Sequence, residues 1–357
     1  MPRNRFFLLP ALMALLSAAW LSAAVPDKSP FGLEDYSVLR SARALAVSPD
    51  GKTVLFVASF VGEKGKAKRE WRLIDVTGEN NRKLELPDSF EPNGFTRDGG
   101  SLVGTYEVEG KGQLGIVPLA SGKPTQIVAL ANGIKSAAIS PDGARFALIA
   151  DPRAKDSLAE VRHVAENDVV SLYVVRADGT GGSWWCPDLH DITDVAWSAD
   201  SSQLAVVKQS QKIGHHDMHA EIFVCTASGA RRVAEIANAT AGLAWANGGK
   251  DLVFASTTTD VLTPDHLWSV PVAGGTPVDL TPKLVGSITN VANDPHGTAW
   301  VQMHKGVAVE TYSYRDGKLE AAYRWPGGTL VGLPVTAGFA GSPEVLAFTV
   351  DDPSHST

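Results

Sequence analysis

Short apolar runs alternate with polar turns along nearly the whole chain, and the alternation has a long period. The four residues Ser136-Ala137-Ala138-Ile139 lead into Ser140-Pro141-Asp142-Gly143, and a second apolar run, 146–150, leaves it. The same unit recurs at Ser48-Pro49-Asp50-Gly51, Thr96-Arg97-Asp98-Gly99, Ser198-Ala199-Asp200-Ser201, Ala246-Asn247-Gly248-Gly249 and Asp294-Pro295-His296-Gly297, with a degenerate seventh near Gly341-Ser342-Pro343. Successive intervals are 48, 44, 58, 48 and 48 residues, then about 47. Proline presets the backbone for the second turn position, aspartate follows readily, and glycine takes the positive φ that closes a hairpin. The runs are too short for helices and rich in Val and Leu, so they predict buried strands.

Each repeat then carries a third strand ending at another glycine turn, as in Leu267-Trp268-Ser269-Val270 before Gly274-Gly275. A fourth, more polar strand follows, as in Lys83-Leu84-Glu85-Leu86. Four antiparallel strands in about 47 residues make one propeller blade. The pattern therefore predicts an all-β fold: a seven-bladed β-propeller of four-stranded antiparallel blades, the last incomplete. Small residues dominate the first strands, which would converge on the axis where room is least. The seventh repeat predicts a strand near residues 331–335 and another at 345–350, with no third or fourth, so either segment 25–42 completes this blade or, as is rather expected, the chain is part of something longer.

The ends and the composition refine this picture. Arg3 and Arg5 precede an uncharged apolar run, 6–24, that ends in Ser22-Ala23-Ala24, small residues of the kind a signal peptidase reads. The expected organisation is a signal peptide (1–24), a lead-in segment (25–42) and the propeller (43–357). That implies export to the periplasm or exterior, where the only two cysteines, Cys186 and Cys225, could oxidise. No later stretch is long enough to span a membrane. A formal net charge of −7 argues against a general nucleic-acid binder.

Candidate chemistry is sparse. Gly214-His215-His216-Asp217-Met218-His219 gathers metal-ligand types, but in a loop this short, with no further ligand identifiable, it reads as a solvated loop. Ser354-His355 beside Asp351 and Asp352 has the residue types of a triad, yet side chains adjacent in sequence do not converge as nucleophile, base and orienter. The Trp184-Trp185 pair on a fourth strand reads as core or inter-blade packing. The charged insertion 151–168, with a short helix over 157–162, reads as a loop at a blade edge. The aspartates of the turns lack the clustered oxygens calcium needs. No catalytic, cofactor-binding or metal residue is assigned.

Phe31-Gly32-Leu33-Glu34-Asp35-Tyr36 together with Ala46-Val47-Ser48-Pro49-Asp50-Gly51, and Leu346-Ala347-Phe348-Thr349-Val350-Asp351-Asp352-Pro353 at the far end, carry a resemblance. Over roughly 31–357 the chain resembles the N-terminal propeller of the prolyl oligopeptidase family of serine peptidases, in its dipeptidyl peptidase IV and acylaminoacyl peptidase branch. The resemblance implies a propeller that gates peptide substrates for an α/β-hydrolase domain. It would supply no chemistry itself: the sequence holds no Gly-x-Ser-x-Gly elbow. Nor does it hold the adjacent Glu pair with which the dipeptidyl peptidase IV type grips a substrate amine. The alternative is a stand-alone periplasmic propeller that binds envelope proteins, similar to those of the Tol system.

Overall fold

Six four-stranded antiparallel sheets follow one another along the chain, each ordered as the chain runs. The computed structural model describes residues 40–62, 66–152, 170–211, 218–236, 240–257, 263–306, 308–323, 329–330, 333–336, 339, 341–342 and 345–351. Blade 1 comprises Arg40–Val47, Thr53–Val61, Ala67–Asp75 and Arg82–Lys83. Blade 2 comprises Glu91–Phe95, Ser101–Val108, Lys111–Pro118 and Thr125–Val128. Blade 3 comprises Ile134–Ile139, Arg145–Ala150, Ser171–Arg176 and Ser183–Trp185. Blade 4 comprises Ile192–Trp197, Leu204–Gln211, Met218–Thr226 and Gly229–Ile236. Blade 5 comprises Thr240–Ala246, Asp251–Thr257, Asp265–Pro271 and Val278–Asp279. Blade 6 comprises Ser287–Asn293, Ala299–Lys305, Ala308–Arg315 and Lys318–Tyr323.

The expected seven blades are corrected to six. Where the seventh should lie, Thr329–Leu330 pairs with Val350–Asp351 and Val335–Thr336 with Leu346–Ala347, each ladder only two residues long. The physical reason lies in the sequence. Pro334 immediately precedes the inner pair, and a proline there has no N–H to extend the ladder. This remnant still occupies a wedge. Val335, Val345 and Ala347 pack on Val47, Val54 and Phe56 of blade 1, and the Ala44 N–H donates to Thr349 Oγ1 at 3.0 Å.

The core is a series of seams between neighbouring blades. One seam joins Leu55 and Leu73 of blade 1 to Phe95 and Leu102 of blade 2. Another sets Leu172 and Trp185 of blade 3 against Trp197 and Leu204 of blade 4. A third joins Ile222 of blade 4 to Trp245 and Phe254 of blade 5. A sheet that is apolar on both faces must be covered on both, and stacking in a ring covers every sheet. Second strands are accordingly the most buried: Leu204, Ala205, Val206 and Val207 are all inaccessible.

Every first strand shifts register against its second strand, between Ala44 and Ala46, Pro92 and Gly94, Ile192 and Asp194, Ala241 and Leu243, Ile288 and Asn290, and in blade 3 opposite Ile149 and Ala150. A bulge in each blade bends the inner strand and raises its twist. Small residues do not fill the first strands throughout. Trp197 and Trp245 lie at the ends of the first strands of blades 4 and 5, last and next to last. Their indole N–H groups cross to the neighbouring blade, donating to Ala138 O at 3.2 Å and to Ala196 O at 2.9 Å. Blade 6 places Asn293 at the same point, where it exchanges two hydrogen bonds with the backbone of Trp245.

Candidate functional site

The first-to-second-strand turns of blades 1 to 4 are built alike. In the first, the Ser48 hydroxyl donates to Asp50 Oδ1 (2.7 Å) and accepts from the Thr53 N–H (2.9 Å), while the Gly51 N–H donates to Ser48 O (2.9 Å). Thr96 with Asp98, Ser140 with Asp142 and Ser198 with Asp200 repeat the arrangement. The neighbouring hydroxyl holds the Asp50, Asp98 and Asp200 carboxyls below the usual range. For Asp142 burial pushes the other way, but the Ser140 hydroxyl, the Ala144 N–H and the Arg145 charge outweigh it.

On this face two clefts flank the second turn. A cleft of about 480 Å³ between blades 1 and 2 is lined by Asp50, Asp75, Arg82, Arg97 and Asp98. A smaller one of about 240 Å³, between blades 2 and 3, shares Phe95, Arg97 and Asp98 and adds Phe146 and Phe339. Arg97 stands where the first and third turns carry proline, so a cation projects from turn chemistry that otherwise leaves none. The carboxylates are already engaged: Asp50 and Asp98 by their turns, Asp75 by Asn80 Nδ2 at 2.6 Å. Arg82 and Arg97 have no hydrogen bond or ion pair to a described residue. The groove therefore carries charge of both signs, two exposed guanidiniums set among three carboxylates. Phe339 reaches it from the seventh wedge, buried against the third turn, where a Cβ on Gly143 would lie 2.8 Å from its ring.

No hydroxyl, imidazole and carboxylate meet among the described residues. Ser171 Oγ lies 2.8 Å from His190 Nδ1, but the serine is 1% exposed, bonds Leu189 O as well, and has no carboxylate behind the imidazole. A substrate carbonyl could not reach it. His266 Nδ1 and Asp279 Oδ2 are 2.7 Å apart on the outer strands of blade 5 with no serine on the ring, an arrangement that ties the third strand to the fourth. Sequence reading missed both pairs, because their partners lie 13 and 19 residues apart. The described residues include no group of three or more His, Cys, Asp or Glu side chains placed to hold a metal.

The residues singled out from sequence fare unequally. Trp184 and Trp185 do sit on the fourth strand of blade 3. Trp184 packs edge-on to Tyr173, and Trp185 edge-on to Trp197 of blade 4, with Arg145 over both Trp185 and Trp197. That is inter-blade packing, as expected. Cys186 and Cys225 are both buried and carry free thiols. The signal peptide, residues 25–39 of the lead-in segment, the helix over 157–162, His215, His216, Asp217, Asp352, Ser354 and His355 lie outside the described residues. Among the described ones, no helix is long and apolar enough to cross a membrane.

No protein-family model matches the chain, and no curated protein matches it. Solved structures do. The chain is similar to the β-propeller domain of the trilobed protease from Pyrococcus furiosus, with 11% identity and a TM-score of 0.59 over 88% of this chain and 94% of that one. It is similar to Pyrococcus horikoshii acylaminoacyl peptidase, with 10% identity and a TM-score of 0.61 over 89% and 52%. It is also similar to an oligogalacturonate lyase in complex with manganese, with 13% identity and a TM-score of 0.59 over 88% and 90%. The chain thus spans about half the length of the acylaminoacyl peptidase. At these identities the likeness establishes the fold, which peptidases and a lyase share; the resemblance to propellers of the prolyl oligopeptidase family holds at that level.

Proposed function

We propose that the chain is the non-catalytic, substrate-gating propeller portion of an exported serine peptidase acting on peptides, with the reacting residues supplied by a hydrolase domain outside this sequence. One observation favours this reading most. Nearly the whole chain matches about half of an acylaminoacyl peptidase, while the sequence offers no Gly-x-Ser-x-Gly elbow. A ring of stacked sheets leaves its polar inner-strand side chains, among them Asn93, Ser136, Thr193 and Asn290, exposed near the axis. Such a lining would solvate an extended peptide and exclude a folded one.

The test has two arms. The purified chain should hydrolyse no peptide and should not react with a fluorophosphonate probe, which labels an activated serine. Labelling of any serine would overturn the non-catalytic assignment. Reading the genomic locus past the codon for Thr357 addresses the missing chemistry. An elbow serine followed by Asp and His supports the peptidase reading. A stop codon with no neighbouring hydrolase gene leaves the protein-binding scaffold in its place.

A further inference from the structure

The seam between blades 3 and 4 brings together the only two cysteines of the chain. Cys186 follows the fourth strand of blade 3, and Cys225 lies in the third strand of blade 4. They are 5% and 0% exposed, within one apolar cluster with Trp185, Leu204 and Val206. The Cys186 thiol lies 3.8 Å from the carbonyl oxygen of Thr226, the residue next to Cys225. A stray pair of buried cysteines has no reason to meet across two blades, since each could fill its place as a small apolar side chain.

We propose that Cys186 and Cys225 are a disulfide site that covalently staples blade 3 to blade 4. The oxidant is a small-molecule disulfide, such as oxidised glutathione. The Cys186 thiolate attacks one of its sulfurs and expels one thiolate. Cys225, losing its proton to solvent, then attacks the Cys186 sulfur of the mixed disulfide and expels the second. The balance is two protein thiols and one small disulfide giving one protein disulfide and two small thiols. Cys186 is suited to the first step: the neighbouring Cys225 thiol holds its ionisation below the ordinary thiol value, whereas Cys225 is pushed up. Access comes from the edge. The strand before Cys186, Ser183–Trp185, is three residues long and outermost in its sheet, so it opens locally more readily than any inner strand.

The bond would close a loop of about 40 residues, and that restriction of the unfolded chain, set against the unfolding entropy of some 300 residues, corresponds to a rise of about 5 °C in melting temperature. The full chain and its Cys186→Ser and Cys225→Ser variants are incubated with oxidised glutathione in mild urea, so that the edge strand opens. Remaining thiols are then alkylated under denaturing conditions. The expected result is no alkylated cysteine in the parent, one peptide pair linked through Cys186 and Cys225 in a non-reducing digest, and a melting temperature raised by about 5 °C until dithiothreitol is added. Each serine variant should show no such rise. Two alkylated cysteines, a stable glutathione adduct on either cysteine of the parent, a disulfide between two chains, or a link that leaves the melting temperature unchanged or lower would each overturn the proposal.

Discussion

Ser201 gives the sharpest test of how the turns hold the blades together. It occupies the closing turn position that is glycine in the first three turns, and it does so at φ 60°, with its side chain inaccessible to solvent. The left-handed conformation costs a residue with a Cβ roughly 1–2 kcal/mol relative to glycine. The compensation crosses to the next blade: the Asp142 N–H of the third turn donates to Ser201 Oγ at 3.0 Å, and the Arg145 guanidinium donates to Ser201 O. Ser201→Ala keeps the strain and removes the acceptor, stranding a partly buried N–H, at a cost of about 1–2 kcal/mol. Ser201→Gly loses the same bond but relieves the strain, so its net cost should fall below about 1 kcal/mol. For some 300 ordered residues each kcal/mol moves the melting temperature by about 1.5 °C. Alanine should therefore melt roughly 2–3 °C below the parent and glycine within about 1 °C of it, by differential scanning calorimetry. Equal losses for the two variants would refute the claim that the serine trades backbone strain for an inter-blade bond.

Other positions test other seams. Gly242 sits at φ 79°, and a Cβ there would collide with the backbone of Val291 in blade 6; Gly242→Ala should cost about 3 kcal/mol or more, and an unchanged urea midpoint would show that blades 5 and 6 do not approach so closely. Trp245→Phe strands the buried Ala196 carbonyl and leaves a gap at the blade 4–5 seam, so urea unfolding should show a loss of about 2–3 kcal/mol, whereas a neutral result would sever that seam from stability. Burial pushes the Asp194 carboxyl up from 3.8 to about 6, against the pull of the Val195 N–H. The folded chain thus holds a proton that the unfolded chain releases, and this contribution, at most about 3 kcal/mol, is present below pH 4 and lost as pH rises through 6. Asp194→Asn should match the parent near pH 4 and exceed it near pH 8 in melting temperature; parallel curves across that range would count against the assignment. The turn aspartates act in the opposite sense: their carboxyls lie below 3.8, so their contribution is present above pH 4 and lost as pH falls further.

The blades were legible because turn chemistry is local. The Ser-x-Asp unit satisfies its own hydrogen bonds within six residues, so the sequence displays it wherever it occurs, even at Ser198 where glycine is missing. The seventh blade misled for the same reason: Gly341-Ser342-Pro343 looks like a turn in the sequence, but the strand pairs described around it are only two residues long. Non-local features left no trace. Nothing near Ser201 announces Asp142, which lies 59 residues away. The indole bonds of Trp197 and Trp245 span 59 and 49 residues, and the meeting of Cys186 with Cys225 depends on the seating of one blade on the next. The groove around Arg97 was hidden differently: its signal, an arginine replacing a turn proline, is visible at once but becomes meaningful only when the flanking clefts are known.

Ring closure bears most directly on all of this, and an electron-resonance distance measurement can read it. Nitroxide labels at Arg43→Cys and Leu346→Cys, in a chain whose own cysteines are serine, sit on the first strand of blade 1 and on the remnant that packs against it. A closed ring with Val335, Val345, Ala347 and Thr349 seated on blade 1 predicts a single short, narrow distance. A broad distribution reaching to the width of the molecule would mean that the sheets do not close, and the account built on their closure would fail with it.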